Sequence, residues 1–283
     1  MVKQTINKPS WRAYARLYQQ IMPPFIPSKV HCRLYEKILR KVKEESGNKG
    51  LVLGCTPGCR DSLARVKFKT TLLDYSPEMI KAMGGLRKNK SREKKVIGLW
   101  TKAGEYFPAD SFDAILGHVV TNNLLTLPLY EKFFQEMEKI LKPQGRLILS
   151  VVLPAPRPLK AEEMIKKCRR NPDYFRNLNN KIYAWASCAY GDPRFYNKKT
   201  YTAVLNDQTN FMRKKLDKGE ITKKEYQLLT FSFYDNPHRV TYLPTKILEK
   251  IIKRYFVVSK RYKEPHTHRA FTDFYQIYCL RKK

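Results

Sequence analysis

Short apolar runs alternate with amphipathic segments along the first half of the chain. The runs are KGLVLG at residues 49–54 and, after it, TTLLD, KKVIGL, SFDAILGHVV and RLILSVVL. Such uninterrupted apolar character is typical of strands that are buried on both faces of a parallel sheet. The segments between them repeat apolar residues at helical spacing, as in PLYEKFFQEMEKIL. Because strands and helices alternate through residue 153, the pattern predicts a parallel α/β sheet with helices on both faces.

Residues that favour helix starts follow the first two predicted strands. Thr56 precedes Pro57, and Ser76 precedes Pro77. A Ser or Thr side chain can accept a hydrogen bond from the free amides of a first helical turn, and proline suits the first helical position. Ser28 is a further N-cap candidate, before another amphipathic segment. The sequence therefore predicts sharp strand-to-helix turns after both strands.

The pattern changes after residue 154. From residue 159 to 253 it indicates helices only, separated by Pro, Gly or Asn. Strand-like segments return in YFVVSKRYK and DFYQIYCLRKK near the end of the sequence. We therefore expect a helical block between the fifth strand and a last pair of strands. An N-terminal helix with Trp11, Tyr14 and Tyr18 on one stripe completes the predicted elements.

The composition allows one large core with an elaborated insert, and it makes the chain strongly basic. The 283 residues are 42% hydrophobic and carry 56 Lys and Arg against 25 Asp and Glu, a formal net charge of +31. Residues 1–154 hold 27 basic and 13 acidic residues, and the remainder holds 29 and 12. A charge of this size favours polyanionic partners such as RNA. Because the charge is spread evenly, a generally lysine-rich proteome explains it equally well.

The cysteines and histidines predict neither a metal site nor a disulfide framework. The six cysteines are scattered, and no second pair complements Cys55 and Cys59. His266 and His268 are isolated from other ligand types. No apolar run approaches the roughly 20 residues that span a bilayer, and the N-terminus lacks an apolar signal core. We expect a soluble cytoplasmic protein, monomer or homodimer, without metal or membrane partner.

Two strand ends carry residues that a nucleoside ligand needs. The first strand ends at Gly54, and Gly58 follows in the next turn, so the backbone there can approach a ligand closely. The second strand ends at Asp74, whose carboxylate can accept hydrogen bonds from both hydroxyls of a ribose. Ligands of open parallel sheets bind at the carboxyl ends of the strands. Alone, each feature also fits a tight turn or a helix cap, but the pair indicates an adenosine-containing ligand.

The ordered segments LVLGCTPG, TLLDYSPEMIKAM, FDAILGHVVTNNL and MEKILKPQGRLILSV resemble the class I S-adenosylmethionine-dependent methyltransferases. The similarity covers residues 48–153. It looks most like a branch in which a Thr-Pro turn, followed by Arg60-Asp61, replaces the usual glycine-rich turn. The resemblance implies S-adenosylmethionine as the cofactor. The cofactor-binding residues that it implies are Gly54, Cys55, Thr56, Gly58, Asp74, Tyr75, Met79, Leu99 and Trp100.

The resemblance also implies the whole fold. It is an α/β fold with a Rossmann-like seven-stranded methyltransferase sheet, whose last strand is antiparallel, and a helical insert between strands 5 and 6. The expected parts are N-terminal helices over residues 1–47, a Rossmann-like domain over 48–154 and 254–283, and an insert over 155–253. The insert would act as a cap over the substrate.

The methyl acceptor is less defined than the cofactor. His118 follows the fourth strand and is the candidate catalytic base, because an amine or hydroxyl acceptor must lose a proton. A histidine that satisfies a loop carbonyl is the alternative. The candidate substrate-contacting residues are Tyr14, Tyr18, Asn122, Trp185 and Tyr190, although the aromatic ones fit a core equally well.

Three functions therefore stay open at this point. The large predicted cap slightly favours a small-molecule acceptor, and the charge argues for RNA. A non-catalytic binding protein of the same fold is the third alternative.

Overall fold

The structure is a computed structural model that describes residue 18 and residues 26–155, 157–231, 239–263 and 275–283. The predicted N-terminal helix, with Trp11 and Tyr14, lies outside the described residues, as do His266 and His268. The elements up to the fifth strand are α1 (Lys29–Glu45), β1 (Lys49–Leu53), α2 (Pro57–Arg65), β2 (Lys69–Asp74), α3 (Pro77–Gly85), β3 (Glu93–Ile97), α4 (Ala103–Tyr106), β4 (Phe112–His118), α5 (Leu127–Ile140) and β5 (Leu141–Val152). Short 3₁₀ turns at Trp100–Lys102 and Thr121–Asn123 follow β3 and β4.

The remaining elements form the insert and the end of the chain. The insert contains α6 (Ala161–Arg170), α7 (Pro172–Arg176), α8 (Leu178–Gly191), β6 (Tyr196–Asn197), β7 (Thr202–Val204), α9 (Leu205–Asp217), α10 (Lys223–Leu229) and β8 (Arg239–Thr241). After it come α11 (Thr245–Tyr255), β9 (Phe256–Lys263) and β10 (Tyr275–Lys282).

Seven strands form the central sheet, in the order β3-β2-β1-β4-β5-β10-β9. The first five pair in parallel, and β10 pairs antiparallel with both β5 and β9. The predicted seven-stranded sheet with an antiparallel last strand is therefore confirmed. Since β1 lies between β2 and β4, the carboxyl ends of these three strands meet at one edge of the sheet.

The predicted caps of two helices are confirmed. Ser28 Oγ accepts a hydrogen bond from the His31 amide at 3.2 Å, at the start of α1. Ser76 Oγ accepts one from the Met79 amide at 3.2 Å, at the start of α3. Both interactions satisfy amides that the helix itself leaves open.

The prediction that the insert is purely helical is wrong. Residues 196–204 form a hairpin of β6 and β7, and β8 adds a third strand to it. Asn197 explains the turn, because its Oδ1 accepts hydrogen bonds from the amides of Lys199 and Thr200. Tyr201 then takes a left-handed conformation with φ of 59°. This local side-chain-to-backbone bonding competes with the helix that the apolar spacing alone suggested.

Two strand boundaries also differ from the sequence prediction. The fifth strand starts at Leu141, directly after α5, so KPQG belongs to the strand. The fourth strand ends at His118 instead of continuing to Val120, because Val119 has a φ of 57° that a strand cannot accommodate.

The core joins the insert to the sheet. One hydrophobic cluster contains sheet residues such as Leu72, Ile115 and Ile148 together with Trp185 and Phe231 of the insert. A second, smaller cluster lies within the insert and includes Met164 and Phe175. Among the described residues, no helix is both long enough and apolar enough to cross a membrane.

Candidate active site

Gly54 forms the turn at the carboxyl end of β1. Its φ is 79°, a left-handed conformation that glycine adopts without strain, and its amide donates to the Leu73 carbonyl at 3.0 Å. A Cβ at this position would lie 3.6 Å from the Trp100 ring, 3.7 Å from Val120 and 3.8 Å from Asp74. Gly54 therefore lies where the last residue of β2 and residues that follow β3 and β4 converge. Its left-handed backbone conformation explains the need for glycine.

Thr56 stands at the N-cap position of α2, as predicted, and Pro57 follows in the first turn. The Thr56 side chain makes no capping hydrogen bond. It therefore leaves the amides of the first turn to other acceptors, and an anionic or carboxylate group of a ligand can be such an acceptor. The neighbouring Gly58 faces away from this turn, because a Cβ there would lie 2.7 Å from Pro27 and 3.1 Å from Cys32. Gly58 thus permits close packing against the start of α1.

Asp74 is buried at the carboxyl end of β2, with 6% of its surface exposed. Its Oδ1 accepts a hydrogen bond from the Ser76 amide at 2.8 Å, and its Oδ2 accepts one from Cys55 Sγ at 3.0 Å. Each carboxylate oxygen has room for a second donor. The carboxylate is thus held in place and can still accept the two hydroxyls of a ribose.

Burial raises the pKa of Asp74, and the donors around it, Cys55 first and then the Ser76 and Tyr75 amides, offset only part of that effect. Burial also raises the pKa of Cys55, assisted by the negative charge of Asp74. The Cys55 thiol therefore stays protonated and remains a hydrogen-bond donor to the carboxylate.

The residues predicted beside the adenine follow the carboxyl ends of β2 and β3. Trp100 is half-buried, and its Nε1 donates to the Leu73 carbonyl at 2.9 Å, which fixes the ring beside Gly54. Met79 is buried, and Tyr75 and Leu99 are half-buried. Partly exposed apolar side chains of this kind can receive the flat face of a base.

His118 is buried at the end of β4 among aromatic side chains. Its Nδ1 lies 2.9 Å from the Tyr35 hydroxyl and 3.2 Å from that of Tyr275, and its Nε2 lies 3.4 Å from the same Tyr275 oxygen. The ring of His31 packs edge-on against it, with centroids 5.8 Å apart. Burial raises the pKa of Tyr35 well above its usual value, so this hydroxyl is protonated at all physiological pH values.

The strained Val119 belongs to the same cluster. Its amide donates to Ser150 Oγ and to the Ser150 carbonyl, both at 3.0 Å. Ser150 Oγ is in turn a hydrogen-bond partner of Tyr35. A β-branched residue in the left-handed region is strained and persists only where its surroundings hold it. The cluster therefore fixes the turn after β4.

Asn122 connects three elements through its side-chain amide. Its Nδ2 donates to the carbonyls of Val152 and Thr241, both at 2.7 Å, and its Oδ1 accepts from the Val152 amide at 3.1 Å. The side chain is buried. These bonds join the loop after β4 to the end of β5 and to β8 of the insert.

The described aromatic residues that were predicted to contact the substrate pack against other side chains of the protein. Trp185 is buried against Phe231, with centroids 5.8 Å apart. Tyr190 is half-buried and packs edge-on against Tyr196 at 4.7 Å. Tyr18 is half-buried against the main core, and Tyr14 is outside the described residues.

Sequence reasoning missed the function of Arg60 and Asp61, although it singled out the pair. Arg60 is 1% exposed and binds Glu93 of β3 through Nε at 3.0 Å and Nη2 at 2.7 Å. Asp61 accepts hydrogen bonds from the amides of Lys88 and Asn89, both at 3.0 Å. The position of an Arg-Asp pair directly after the turn was the feature of the sequence that could have indicated these contacts. The pair holds α2 against β3 and the loop before it, and the charge of Arg60 lowers the pKa of nearby Asp74.

Comparisons with known proteins agree with this geometry. Residues 51–149 match a family model described as a methyltransferase domain. None of the curated proteins compared with the chain matches it.

Several solved structures share the fold. A S-adenosylmethionine-dependent methyltransferase from Clostridium acetobutylicum is 13% identical, with a TM-score of 0.57 over 96% of this chain and 99% of that one. The 1,6-didemethyltoxoflavin-N1-methyltransferase from Burkholderia thailandensis, solved with 1,6-didemethyltoxoflavin and S-adenosylhomocysteine, is 10% identical, with a TM-score of 0.51 over 97% and 87%. A protein from Rhodobacter sphaeroides, named for Zn-dependent alcohol dehydrogenases, is 14% identical, with a TM-score of 0.61 over 97% of both chains.

The residues at the strand ends fit the cofactor of these enzymes. Gly54 brings backbone without a side chain next to Asp74, Asp74 offers two acceptor oxygens, and the Trp100 ring borders Gly54. Among the residues that the structure describes, no group of three or more His, Cys, Asp or Glu could hold a metal ion. Residues 51–149 therefore form a methyltransferase domain, and the chain has the fold of S-adenosylmethionine-dependent methyltransferases of known structure.

Proposed function

We propose that the protein transfers a methyl group from S-adenosylmethionine to a small-molecule acceptor that lies between the turn after β4 and the insert. The observation that carries this proposal is the loop from Val120 to Thr126. Its first residue borders Gly54, and Asn122 and Leu124 bind Thr241 of the insert. A molecule beside this loop contacts both the cofactor site and the insert.

The cofactor supplies a methyl group whose carbon is already electrophilic, so the protein mainly has to align donor and acceptor. We propose that Asp74 accepts the ribose hydroxyls and that Cys55 and the Ser76 amide hold its carboxylate in the required orientation. Gly54 and Thr56 would border the methionine part, and Tyr75, Met79, Leu99 and Trp100 the adenine. The packing of Gly58 against Pro27 supports an indirect role for that glycine.

His118 is the predicted base, and its surroundings support a further role in positioning. Val119 is a fixed donor to Ser150 Oγ, so the Ser150 hydroxyl can donate onward to Tyr35, and Tyr35 to His118 Nδ1. In this arrangement His118 carries its proton on Nε2 and helps to hold the turn after β4 in place. His118→Asn separates the two roles: loss of a base removes one limb of the pH–rate profile, whereas loss of a positioning residue lowers stability and leaves the profile unchanged.

We propose that the Thr-Pro turn and Arg60-Asp61 mark one branch of this class, because both residues of the pair bind the region before or within β3. The insert over residues 155–253 would be the substrate cap.

The experiment that tests the proposed function uses S-adenosylmethionine with a labelled methyl group and a cell extract separated by size. We expect label in the small-molecule fraction with the wild type and none with Asp74→Ala. Label in the RNA fraction would favour the second candidate, an RNA methyltransferase, which the net charge of +31 supports. Binding of RNA that does not weaken as salt is raised would argue against RNA as the partner.

A further inference from the structure

A basic groove lies on the insert beside the loop after β4. It has a volume of about 840 Å³ and is bordered by Leu125 and Thr126 of that loop, by the β6–β7 hairpin, by Asp207 and by Arg239. This insert groove falls within the size range of small-molecule sites, about 300 to 1,000 Å³. The loop after β4 connects the groove to the proposed cofactor site. Leu125 and Thr126 of this loop border the groove, and Val120 at the start of the loop borders Gly54.

Positive charge exceeds negative charge in the insert groove. Among the described residues that line it, Arg194, Lys198, Lys199 and Arg239 are basic and Asp207 is acidic. Arg194 is already neutralised, since it makes ion pairs with Glu162 at 2.6 Å and Asp192 at 2.5 Å. Lys198 and Lys199 have no ion-pair partner within the described ranges, and both are exposed at the hairpin turn. Among the described residues, the two lysines therefore supply charge that no carboxylate neutralises in an ion pair.

The hairpin holds these lysines in one place. Asn197 fixes the turn by accepting hydrogen bonds from the Lys199 and Thr200 amides, at 2.9 and 3.2 Å. The hydroxyls of Thr200 and Thr202 lie 2.8 Å apart and add hydrogen-bonding groups to the lining. Ammonium and hydroxyl groups together suit a phosphate or carboxylate.

The aromatic residues of the insert groove favour a discrete ligand over a nucleic acid strand. Phe195 and Tyr196 are both 5% exposed, and the Tyr196 hydroxyl donates to the Tyr242 carbonyl at 2.9 Å. Their rings are thus occupied in packing. Single-stranded nucleic acids bind to exposed rings on which successive bases stack. The part of the lining that the structure describes offers charge and hydroxyls, and its two buried rings, Phe195 and Tyr196, are not available as stacking surfaces.

From these observations we infer that the methyl acceptor is a small anionic molecule, and that Lys198, Lys199 and Arg239 bind its phosphate or carboxylate group in the insert groove. This inference rests on the proposed function, because it names the class of acceptor for that reaction. The acceptor's reactive atom would lie towards Leu125, on the side of the loop after β4.

The test is calorimetric titration with two probes, inorganic pyrophosphate and citrate, at constant ionic strength. We expect at least one probe to bind the wild type and to bind Lys198→Ala/Lys199→Ala at least about fivefold more weakly, as the loss of two partly screened charge contacts predicts. Preference for pyrophosphate indicates a phosphate group, and preference for citrate indicates carboxylates. The matched control is Lys214→Ala/Lys218→Ala, which removes the same charge from exposed positions at the end of α9.

Three results would overturn the inference. They are no binding of either probe to the wild type, equal weakening by the two double variants, and tight binding of an oligouridylate that depends on Lys198 and Lys199. Titration with S-adenosylhomocysteine separates this failure from failure of the proposed function. A chain that binds the cofactor product normally but neither probe retains its methyltransferase site and lacks the anion site.

Discussion

At the scale of single residues, burial and the neighbouring donors set the pKa of Asp74, the carboxylate that we propose to bind the ribose of the cofactor. Folding raises the pKa of Asp74, so its ionised form weakens the folded state at pH values above that pKa. Asp74→Asn should therefore not lower the free energy of unfolding at neutral pH. It should weaken binding of S-adenosylhomocysteine by about tenfold to a hundredfold, because hydrogen bonds to a charged group contribute about 1.5–3 kcal/mol. Calorimetry and thermal unfolding of the same samples measure both effects.

The control is Asp173→Asn, which changes an exposed carboxylate of α7. Equal cofactor affinity in Asp74→Asn and the wild type would contradict the assignment of Asp74 to the ribose. In the wild type, affinity should fall as the pH decreases, and the fall should begin above the pH at which an unperturbed Asp protonates, about 3.9.

Cys55 should affect the pH at which cofactor affinity falls. Its thiol donates to Asp74 Oδ2 and lowers the pKa of the carboxyl group, against the larger effect of burial. Cys55→Ala removes the donor, so the midpoint of the pH dependence of cofactor binding should move to higher pH. Cys55→Ser keeps a donor and should restore the midpoint towards that of the wild type.

Cys59→Ala is the matched control for Cys55. Cys59 is also buried, and it lies in α2, directly after the turn that contains Cys55. In the described part of the chain it makes no hydrogen bond to Asp74. The role of Cys55 would be refuted by a pH midpoint that is the same in Cys55→Ala and Cys59→Ala.

At the scale of elements, Asp113 joins the amino-terminal ends of two strands to the end of a helix. Its carboxylate accepts hydrogen bonds from Ser46 Oγ at 2.8 Å, from the Lys49 amide at 2.8 Å and from Lys142 Nζ at 2.7 Å. Burial alone would raise the pKa of Asp113, but these donors, with Lys142 first, outweigh it and lower the pKa. Asp113 thus ties α1, β1 and β5 to β4.

The sign of its pH effect follows from the lowered pKa. Asp113 stabilises the fold fully above its unfolded pKa of about 3.9, and the contribution is lost as the pH falls through the lower folded pKa. Asp113→Asn should reduce the free energy of unfolding at neutral pH by about 1.5–3 kcal/mol and make the loss of stability in acid shallower. Denaturant unfolding over a pH series measures this. The exposed Asp110→Asn serves as control, and an identical acid response in both variants would count against the network.

The elements differ in how well the sequence predicts them. Uninterrupted apolar strands such as KGLVLG identified the sheet, because strands buried on both faces are short apolar runs bounded by turn residues. The hairpin at residues 196–204 was missed, because its strands are only two and three residues long and its turn depends on the Asn197 side chain. The positions of Gly54 and Asp74 at the carboxyl ends of β1 and β2 were predictable from the apolar runs that they terminate. The bonds of His118 to Tyr35 and Tyr275 were not, because those partners are far apart in sequence and meet only when α1 and β10 pack on the sheet.

At the scale of the whole molecule, the insert and the sheet share one hydrophobic cluster, which couples their stabilities. Asn122 links the insert to the sheet by hydrogen bonds. Its side-chain amide binds the Val152 backbone at the end of β5 and the Thr241 carbonyl in β8. Asn122→Ala leaves these buried backbone groups without their partner. An unsatisfied buried polar group costs about 1–3 kcal/mol, so the variant should be less stable by at least that amount.

The loss should concentrate in the insert, because β8 keeps only the Thr241–Leu124 hydrogen bond of its two described side-chain bonds to the loop after β4, while β5 keeps its strand neighbours β4 and β10. Hydrogen exchange read by mass spectrometry should show faster exchange over residues 161–229 than over β1 and β4, and methyl transfer should fall with it. Asn123→Ala is the matched control, since Asn123 is exposed and, among the described residues, its side-chain amide donates to the Val119 and Val120 carbonyls of its own loop. An equal change in exchange over sheet and insert, or the same pattern in Asn123→Ala, would mean that the shared hydrophobic cluster holds the insert in place without help from Asn122.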